Sequence, residues 1–256
     1  MVYSRVLACL GDKVNTQLAC RFADLAYDIF EKFQSKENIW RIAYGLYSVV
    51  YVCQKPLTEC VEPIIEAASI ALQQGDTHSA MFAISVADEI RLYAGYPLNS
   101  LYSTIKDSIM RMREYGEIYA LQFNLVYAQF IENLLSDVSD MCTLDGQHCN
   151  ESEILRISHQ QKHQPLEATL YILKLWAAVI MQTLSKVNPS LKITEVSAIC
   201  NCPTKRCCVC IVLRSTIVPR MRKEKTTSCH VLSQKVEGIC RSVPFQPDAS
   251  CPFVRG

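Results

Sequence analysis

The stretch from Leu57 to Leu98 limits the fold of this chain more than any other, because it reads as two helices folded back on each other. Apolar residues recur every three or four positions on both sides of Gly75-Asp76, and Gly95-Tyr96-Pro97 closes the unit. The first stripe is Val61, Ile65, Ala68 and Leu72, the second is Phe82, Val86, Ile90 and Tyr93, and Ala80, Ala83 and Ala87 form a row of small residues. The stretch therefore predicts an antiparallel helix hairpin whose alanines let a neighbouring helix approach closely.

Both flanks repeat this plan. Asn15 is a predicted N-cap, and it precedes the apolar helix face Leu18, Phe22, Leu25 and Ile29. Further helices are predicted over Glu37–Gln54, from Leu101 to Met112 and from Glu151 to Gln164. Two more apolar stripes predict two more helices. The first is Ile118, Leu121, Leu125, Ala128, Ile131 and Leu135, and the second extends from Leu166 to Leu184. Helix starts recur roughly every 20 residues and hairpins roughly every 40, as in helical solenoids. The predicted fold is all-α, a TPR-like superhelical array of antiparallel hairpins over residues 1–190.

Composition and charge limit the partners and the cellular compartment that we expect for this chain. A formal net charge of +1 gives no electrostatic footprint for nucleic acid. The N-terminus lacks the apolar run and cleavage pattern of a signal peptide, so we expect a cytoplasmic protein. Residues 1–10 resemble the second helix of a pair, from which we expect the chain to be a fragment of a longer architecture. Glu167, Lys174 and Gln182 interrupt the apolar run Leu166–Leu184, which predicts a buried helix and no membrane partner.

Residues 191–256 lose the helical period and carry eight of the 14 cysteines. The candidate metal ligands are Cys200, Cys202, Cys207, Cys208 and Cys210, since clustered thiolates suit Zn²⁺. Structural zinc sites usually show paired C-x2-C knuckles, which C-x-C-x4-C-C-x-C lacks. Disulfides and lipid anchoring are further alternatives. The break in composition favours an irregular cysteine-rich tail, such as intron read-through or a shifted frame.

Other groups receive a structural interpretation beside a chemical one. His159 and His163 are four residues apart, which predicts one helix face, but Gln160 stands where a metalloprotease has glutamate. We interpret them as a polar face. Trp40, Tyr44, Tyr47 and Tyr51 form either a recognition stripe or, as we expect, a packed inter-helix face. A thiol–imidazole pair of His78 with Cys53 or Cys60 has no local signature.

Several short motifs together resemble the TPR-like helical region of large multidomain signalling proteins. They are Phe22-Ala-Asp-Leu-Ala26, Pro56-Leu57, Ala71-Leu72 before Gly75-Asp76, Gly95-Tyr-Pro-Leu98, and Leu144-Asp-Gly146 followed by Glu151. In that family the region follows a predicted AAA-type ATPase module. A protein kinase-like domain often precedes that module, and a histidine kinase or cyclase domain follows in some members. The resemblance covers about residues 1–190 and implies a scaffold, with no functional residue carried over.

No enzymatic motif accompanies these helices. No glycine precedes a lysine and no two glycines lie close together, so the phosphate-binding loop is absent, as are the kinase signatures HRD and DFG. We therefore expect a non-catalytic, cofactor-free interaction or scaffold segment whose partner is a protein, a peptide or a neighbouring domain. The alternative is a metal-binding or redox-responsive protein acting through the cysteine tail.

Overall fold

Three turns of one kind separate the central helices. Gly75, Gly95 and Gly116 have φ angles of +79°, +76° and +69°. At each turn the glycine amide and the next amide reach back to the preceding helix, as in Gly75 N to Leu72 O (3.0 Å) and Asp76 N to Ala71 O (2.9 Å). This is the Schellman arrangement, and glycine adopts its left-handed backbone without steric cost. The regular glycine spacing therefore gives helices of nearly equal length.

The computed structural model describes residues 13–33, 39–53, 55–136 and 140–180. Over these ranges the chain is helical and contains no strand, which confirms the predicted all-α class. The helices are α1 (Lys13–Phe33), α2 (Ile39–Val49), α3 (Leu57–Gln73), α4 (Thr77–Tyr93), α5 (Leu98–Glu114), α6 (Ile118–Leu135), α7 (Glu151–Gln161) and α8 (Gln164–Ile180), with a 3-10 turn at Tyr51–Cys53. Residues 191–256 lie outside the described ranges, and so do residues 1–10. In the part described, no helix is long and apolar enough to cross a membrane.

The predicted hairpin from Leu57 to Leu98 is confirmed as α3 and α4. Asp76 caps α4 by accepting a hydrogen bond from the Ser79 amide at 3.1 Å. Successive helices pack against each other in the pairs α2–α3, α3–α4, α4–α5 and α5–α6, and α4 also contacts α6, as α6 contacts α8. These three helices form a continuous row, and the small residues Ala80, Ala83 and Ala87 of α4 are buried.

Two helix boundaries differ from the prediction. Helix α1 begins at Lys13, so Asn15 lies in its first turn and its assignment as N-cap is wrong. The predicted helix Glu37–Gln54 is shorter, because α2 ends at Val49 and the 3-10 turn follows. Propensity patterns locate helix ends poorly because terminal turns are decided by packing.

Two apolar stripes also lie differently. The predicted face of α1 is exposed, and Ala19, Cys20 and Ala23 are buried instead. On α6 the predicted stripe is buried at Ala128 and Ile131 and exposed at its two ends, where Ile118 is 65% exposed and Leu135 is 40% exposed. Helix α6 is apolar nearly all round, and a second row buries Phe123, Val126, Tyr127 and Phe130.

Side-chain amides fix the loop after α6. Asn133 Nδ2 donates to Thr143 O and the His148 amide donates to Gln129 Oε1, each at 2.9 Å. Leu144 is fully buried beneath the loop. The Cys149 thiol donates to Leu144 O at 3.2 Å, and burial raises its pKa to about 12. The thiol therefore forms part of the packing of this loop.

The turn between α7 and α8 repeats the Schellman bonds without a glycine. Lys162 has φ +53°, the His163 amide donates to Ser158 O at 2.7 Å, and the Lys162 amide donates to His159 O at 3.3 Å. Replacing Lys162 with glycine is expected to raise the free energy of unfolding by about 0.5–1 kcal/mol, because a Cβ is strained in this region. Urea denaturation measures the gain. Lys162→Ala, which keeps the Cβ, is the control and is expected to give none, and an equal gain in both variants contradicts the explanation.

Candidate interaction surface

Apolar side chains surround the turn between α5 and α6. Met110, Tyr115, Ile118 and Tyr119 are 56%, 48%, 65% and 36% exposed, and we call them the α5–α6 patch. The four residues lie within ten positions of the sequence. The Schellman turn at Gly116 joins the last turn of α5 directly to the first turn of α6, so both helix ends contribute to the patch. Exposed apolar side chains gathered in one place are typical of interaction sites.

One residue of the patch, Tyr119, belongs to a row of packed rings. Tyr44 of α2 contacts Phe82 of α4 at a centroid distance of 6.0 Å, and Phe82 contacts Tyr119 of α6 at 5.5 Å. Tyr119 continues to Phe123 at 5.6 Å and to His163, which precedes α8, at 4.4 Å. Because the rings connect four successive parts of the array, Tyr119 is held in place before any partner arrives.

Polar and charged groups border the patch. His78 Nδ1 lies 2.8 Å from Glu117 Oε2, and Thr77 Oγ1 donates to Glu117 Oε1 at 3.3 Å. These contacts tie the start of α4 to the α5–α6 turn. Arg111 and Arg113, in the last turn of α5, are exposed and form no ion pair within the described residues. The rim near α5 is therefore open to an acidic group.

Two consecutive carboxylates in α4 are buried, which gives them a structural role. Asp88 is fully buried and accepts hydrogen bonds from Arg91 Nη1 and Asn124 Nδ2, each at 2.9 Å. Burial raises the pKa of Asp88, while a hydrogen bond from Ser108 and the charge of Arg91 oppose that shift. Its oxygens are occupied by donors from α4, α5 and α6, so Asp88 joins three helices.

The neighbouring Glu89 serves another junction. Glu89 is 3% exposed and hydrogen-bonds the buried Tyr127 hydroxyl, as does Thr169. Burial raises the pKa of Tyr127, and the charge of Glu89 adds to this. The three side chains connect α4, α6 and α8. Nothing in the sequence distinguishes these two acids from solvent-facing ones, so sequence reasoning did not single them out.

The predicted histidine face does not exist. Helix α7 ends at Gln161, so His159 and His163 lie on different sides of the Lys162 turn. His159 Nε2 lies 3.3 Å from Glu167 Oε1, whereas His163 Nδ1 accepts from the Leu166 amide at 3.1 Å and caps α8. The four-residue spacing failed because no glycine marked the turn.

The predicted aromatic stripe is divided between two packing sites. Trp40 Nε1 donates to Gln74 Oε1 at 3.1 Å and Tyr44 joins the ring row. Tyr47 packs on Tyr51, whose hydroxyl donates to Asp24 Oδ1 of α1 at 2.7 Å. The expected inter-helix packing is confirmed.

Cys60 and His78, considered above as a thiol–imidazole pair, bind different groups. Cys60 is buried and its thiol donates to Pro56 O, whereas the His78 ring turns to Glu117. The cysteines proposed as metal ligands, Cys200, Cys202, Cys207, Cys208 and Cys210, lie outside the described residues. Over the described ranges, no group of three or more His, Cys, Asp or Glu side chains has the arrangement of a metal site.

Comparison of the chain with protein-family models, with curated proteins and with solved structures finds no match.

Proposed function

We propose that this chain is a non-catalytic protein-interaction segment, a TPR-like array of helix hairpins that presents the α5–α6 patch to a peptide or a neighbouring domain in the cytoplasm. The observation that carries the proposal is the exposure of Met110, Tyr115 and Ile118 around the α5–α6 turn, close in sequence to Tyr119, which packs in a row of rings. A preorganised apolar surface loses little conformational entropy when a partner binds.

The rim suggests the chemistry of the partner. Arg111 and Arg113 favour a segment in which acidic residues flank an aromatic or aliphatic anchor, since guanidinium groups pair with carboxylates in a bidentate geometry. Complementary charge would mainly accelerate association, whereas the buried anchor would supply most of the affinity.

Selection of displayed peptides against the full chain tests this function. Selected peptides are expected to carry an aromatic or aliphatic anchor beside acidic residues. Ile118→Ser and Tyr115→Ser are expected to weaken their binding at least about tenfold, because truncating an interface anchor costs more than about 1.4 kcal/mol. Isothermal titration calorimetry gives the affinities.

Leu135→Ser is the matched control. Leu135 is also exposed, but it ends α6, and the seventeen residues from Ile118 place it about 25 Å away along the helix. Its substitution is expected to leave affinity unchanged. Failure to select any peptide, or peptides that are indifferent to Ile118→Ser, would contradict the proposal.

A further inference from the structure

Helix α5 presents an exposed face with Met110 at its centre. Leu101, Ile105 and Ser108 are buried and define the side of α5 that packs on the array. Because successive residues of a helix are about 100° apart, Met110 lies opposite this buried side. Ser103 lies two turns earlier on nearly the same line and is also exposed. The outward side of α5 is therefore a straight line through Ser103 and Met110.

Charged side chains border this line on both sides. Lys106 and Arg113 lie roughly 40° and 60° from the line on one side, and we call them the basic edge. Asp107 and Glu114 lie roughly 60° and 40° from it on the other side, and we call them the acidic edge. All four are exposed, and none forms an ion pair with another described residue. Arg111 lies farther round the helix, beyond the acidic edge.

The basic edge borders the loop after α6. Lys106 Nζ lies 4.5 Å from the centroid of the Tyr102 ring, and the Tyr102 hydroxyl lies 2.7 Å from His148 Nε2. Burial lowers the pKa of His148, and the charge of Glu132 opposes this. The charges of Lys106 and Arg113 lower it further, so both cations act on the same side of α5. The contact with the ring holds Lys106 at this edge before a partner binds.

We propose that the partner of the α5–α6 patch is an amphipathic helix that lies along α5. Its acidic residues face the basic edge and its basic residues face the acidic edge. The apolar line of the partner packs on Met110 and continues across the turn to Tyr115 and Ile118. This inference rests on the proposed function, because it names the partner of the same site. Charges on both sides of an apolar line are the arrangement by which paired helices recognise each other.

The spacing of the charges favours a helix over an extended segment. The two members of each edge are seven residues apart, which is two turns or about 10.5 Å along α5. A partner helix repeats its own side chains at the same distance. In an extended segment, side chains on one face are about 6.6 Å or about 13 Å apart, and neither distance matches the edges. A helix is also wide enough, at about 10 Å, to reach both edges at once.

A second copy of this chain fits the face less well than a separate helix. Two copies of α5 related by a two-fold axis would bring opposite edges together only in a parallel orientation, since an antiparallel one pairs like charges. Each copy would contribute Met110 alone to the apolar line along α5. That contact is far smaller than the interface of a stable dimer.

A displayed library of helical peptides, with a fixed apolar line and randomised flanking positions, tests the partner. Selection against the full chain is expected to return peptides with acidic residues along one edge and basic residues along the other. The matched control is an isomer of a selected peptide in which both charge types alternate along each edge. Isothermal titration calorimetry is expected to show at least about tenfold weaker binding of this isomer, because neither edge is fully paired. Proline at the centre of the selected peptide is expected to weaken binding at least as much, since it breaks the helix.

Charge reversal on the protein tests the same contact. Lys106→Glu with Arg113→Glu makes both edges acidic and is expected to weaken binding of the selected peptide roughly tenfold. Arg21→Glu with Lys162→Glu is the control, because it changes the net charge equally at exposed positions outside α5. This control is expected to stay within about twofold of the wild type.

The outcomes separate this inference from the proposed function. A helical library that yields no binder, while the unrestricted selection yields peptides that depend on Ile118, would overturn the helical partner alone. Selected peptides with mixed charges on each edge, or a proline variant that binds as tightly as its parent, would do the same. Self-association of the wild-type chain that Lys106→Glu with Arg113→Glu abolishes would assign the face to a second copy. Failure of both selections would overturn both proposals.

Discussion

Replacing Asp88 with alanine is expected to lower the free energy of unfolding by about 3 kcal/mol, because a buried ion pair loses one member. The Asp88 carboxylate has no exposed surface and satisfies donors on Arg91, Ser108 and Asn124. Alanine leaves the partly buried Arg91 guanidinium and the buried Asn124 amide without their acceptor. Chemical denaturation followed by circular dichroism measures the loss.

Two further variants test whether the lost hydrogen bonds of Asp88 cause this loss of stability. Asp88→Asn keeps the shape and one acceptor and is expected to cost about 1 kcal/mol. Asp107→Asn on the exposed side of α5 is the control and is expected to stay within about 0.5 kcal/mol of the wild type. Equal losses for Asp88→Ala and Asp107→Asn would show that the network does not connect the three helices.

The same position predicts a pH dependence. Because burial raises the pKa of Asp88 in the folded state above the ordinary value of 3.8, the folded chain holds the proton more tightly than the unfolded chain. The stability that protonation contributes is complete below the unfolded pKa and is lost as pH rises through the folded pKa. The wild type is therefore expected to gain stability relative to Asp88→Asn as pH falls. A difference that is constant with pH, or that changes in the opposite direction, would contradict this.

Replacing Phe130 with alanine is expected to lower the free energy of unfolding by about 4 kcal/mol. Phe130 is fully buried in α6 and stacks on Trp176 of α8 at 5.4 Å, and Trp176 in turn stacks on Tyr93 of α4 at 5.7 Å. Alanine leaves a ring-sized cavity where three helices meet. Because helices that are fixed on several sides cannot collapse into that space, both the transfer and the cavity costs apply.

Conservative and distant variants complete this measurement. Phe130→Leu retains most of the volume and is expected to cost about 1.5 kcal/mol or less. Leu135→Ala, at the exposed end of the same helix, is expected to cost under about 0.5 kcal/mol. Urea unfolding gives the free energies, and tryptophan fluorescence reports water entering around Trp176. A Phe130→Ala loss below about 1 kcal/mol would contradict the packing argument.

The central hairpins were predictable because their signals are local. The glycines at 75, 95 and 116 end helices through their own backbone freedom. The predicted stripe of α5, Leu101, Ile105, Ile109 and Met112, is buried on one face because most of the remainder of that helix is polar. Neither signal depends on distant neighbours. The turn at Lys162 gave no such signal, since a lysine adopts the left-handed conformation there and no glycine marks the end of the helix.

The interaction surfaces were not predictable for the opposite reason. Helix α6 carries two apolar rows, and only contact with α4 and α8 decides that Phe130 is buried while Ile118 faces outward. Likewise the larger side chains of α1 appeared to form its core face, yet the alanines pack on α2. The number of apolar positions does not show which of two rows a neighbour covers.

By itself, then, the sequence determined that the described chain is helical, and it located the Leu57–Leu98 hairpin and its glycine turns, since helix period and backbone freedom are properties of short segments. Only the tertiary structure decided that Asp88 is buried and that His159 and His163 lie on opposite sides of a turn. It also decided that the α5–α6 patch and the larger apolar side chains of α1 are exposed. Burial depends on which helices meet, and that is fixed by contacts between residues far apart in the chain.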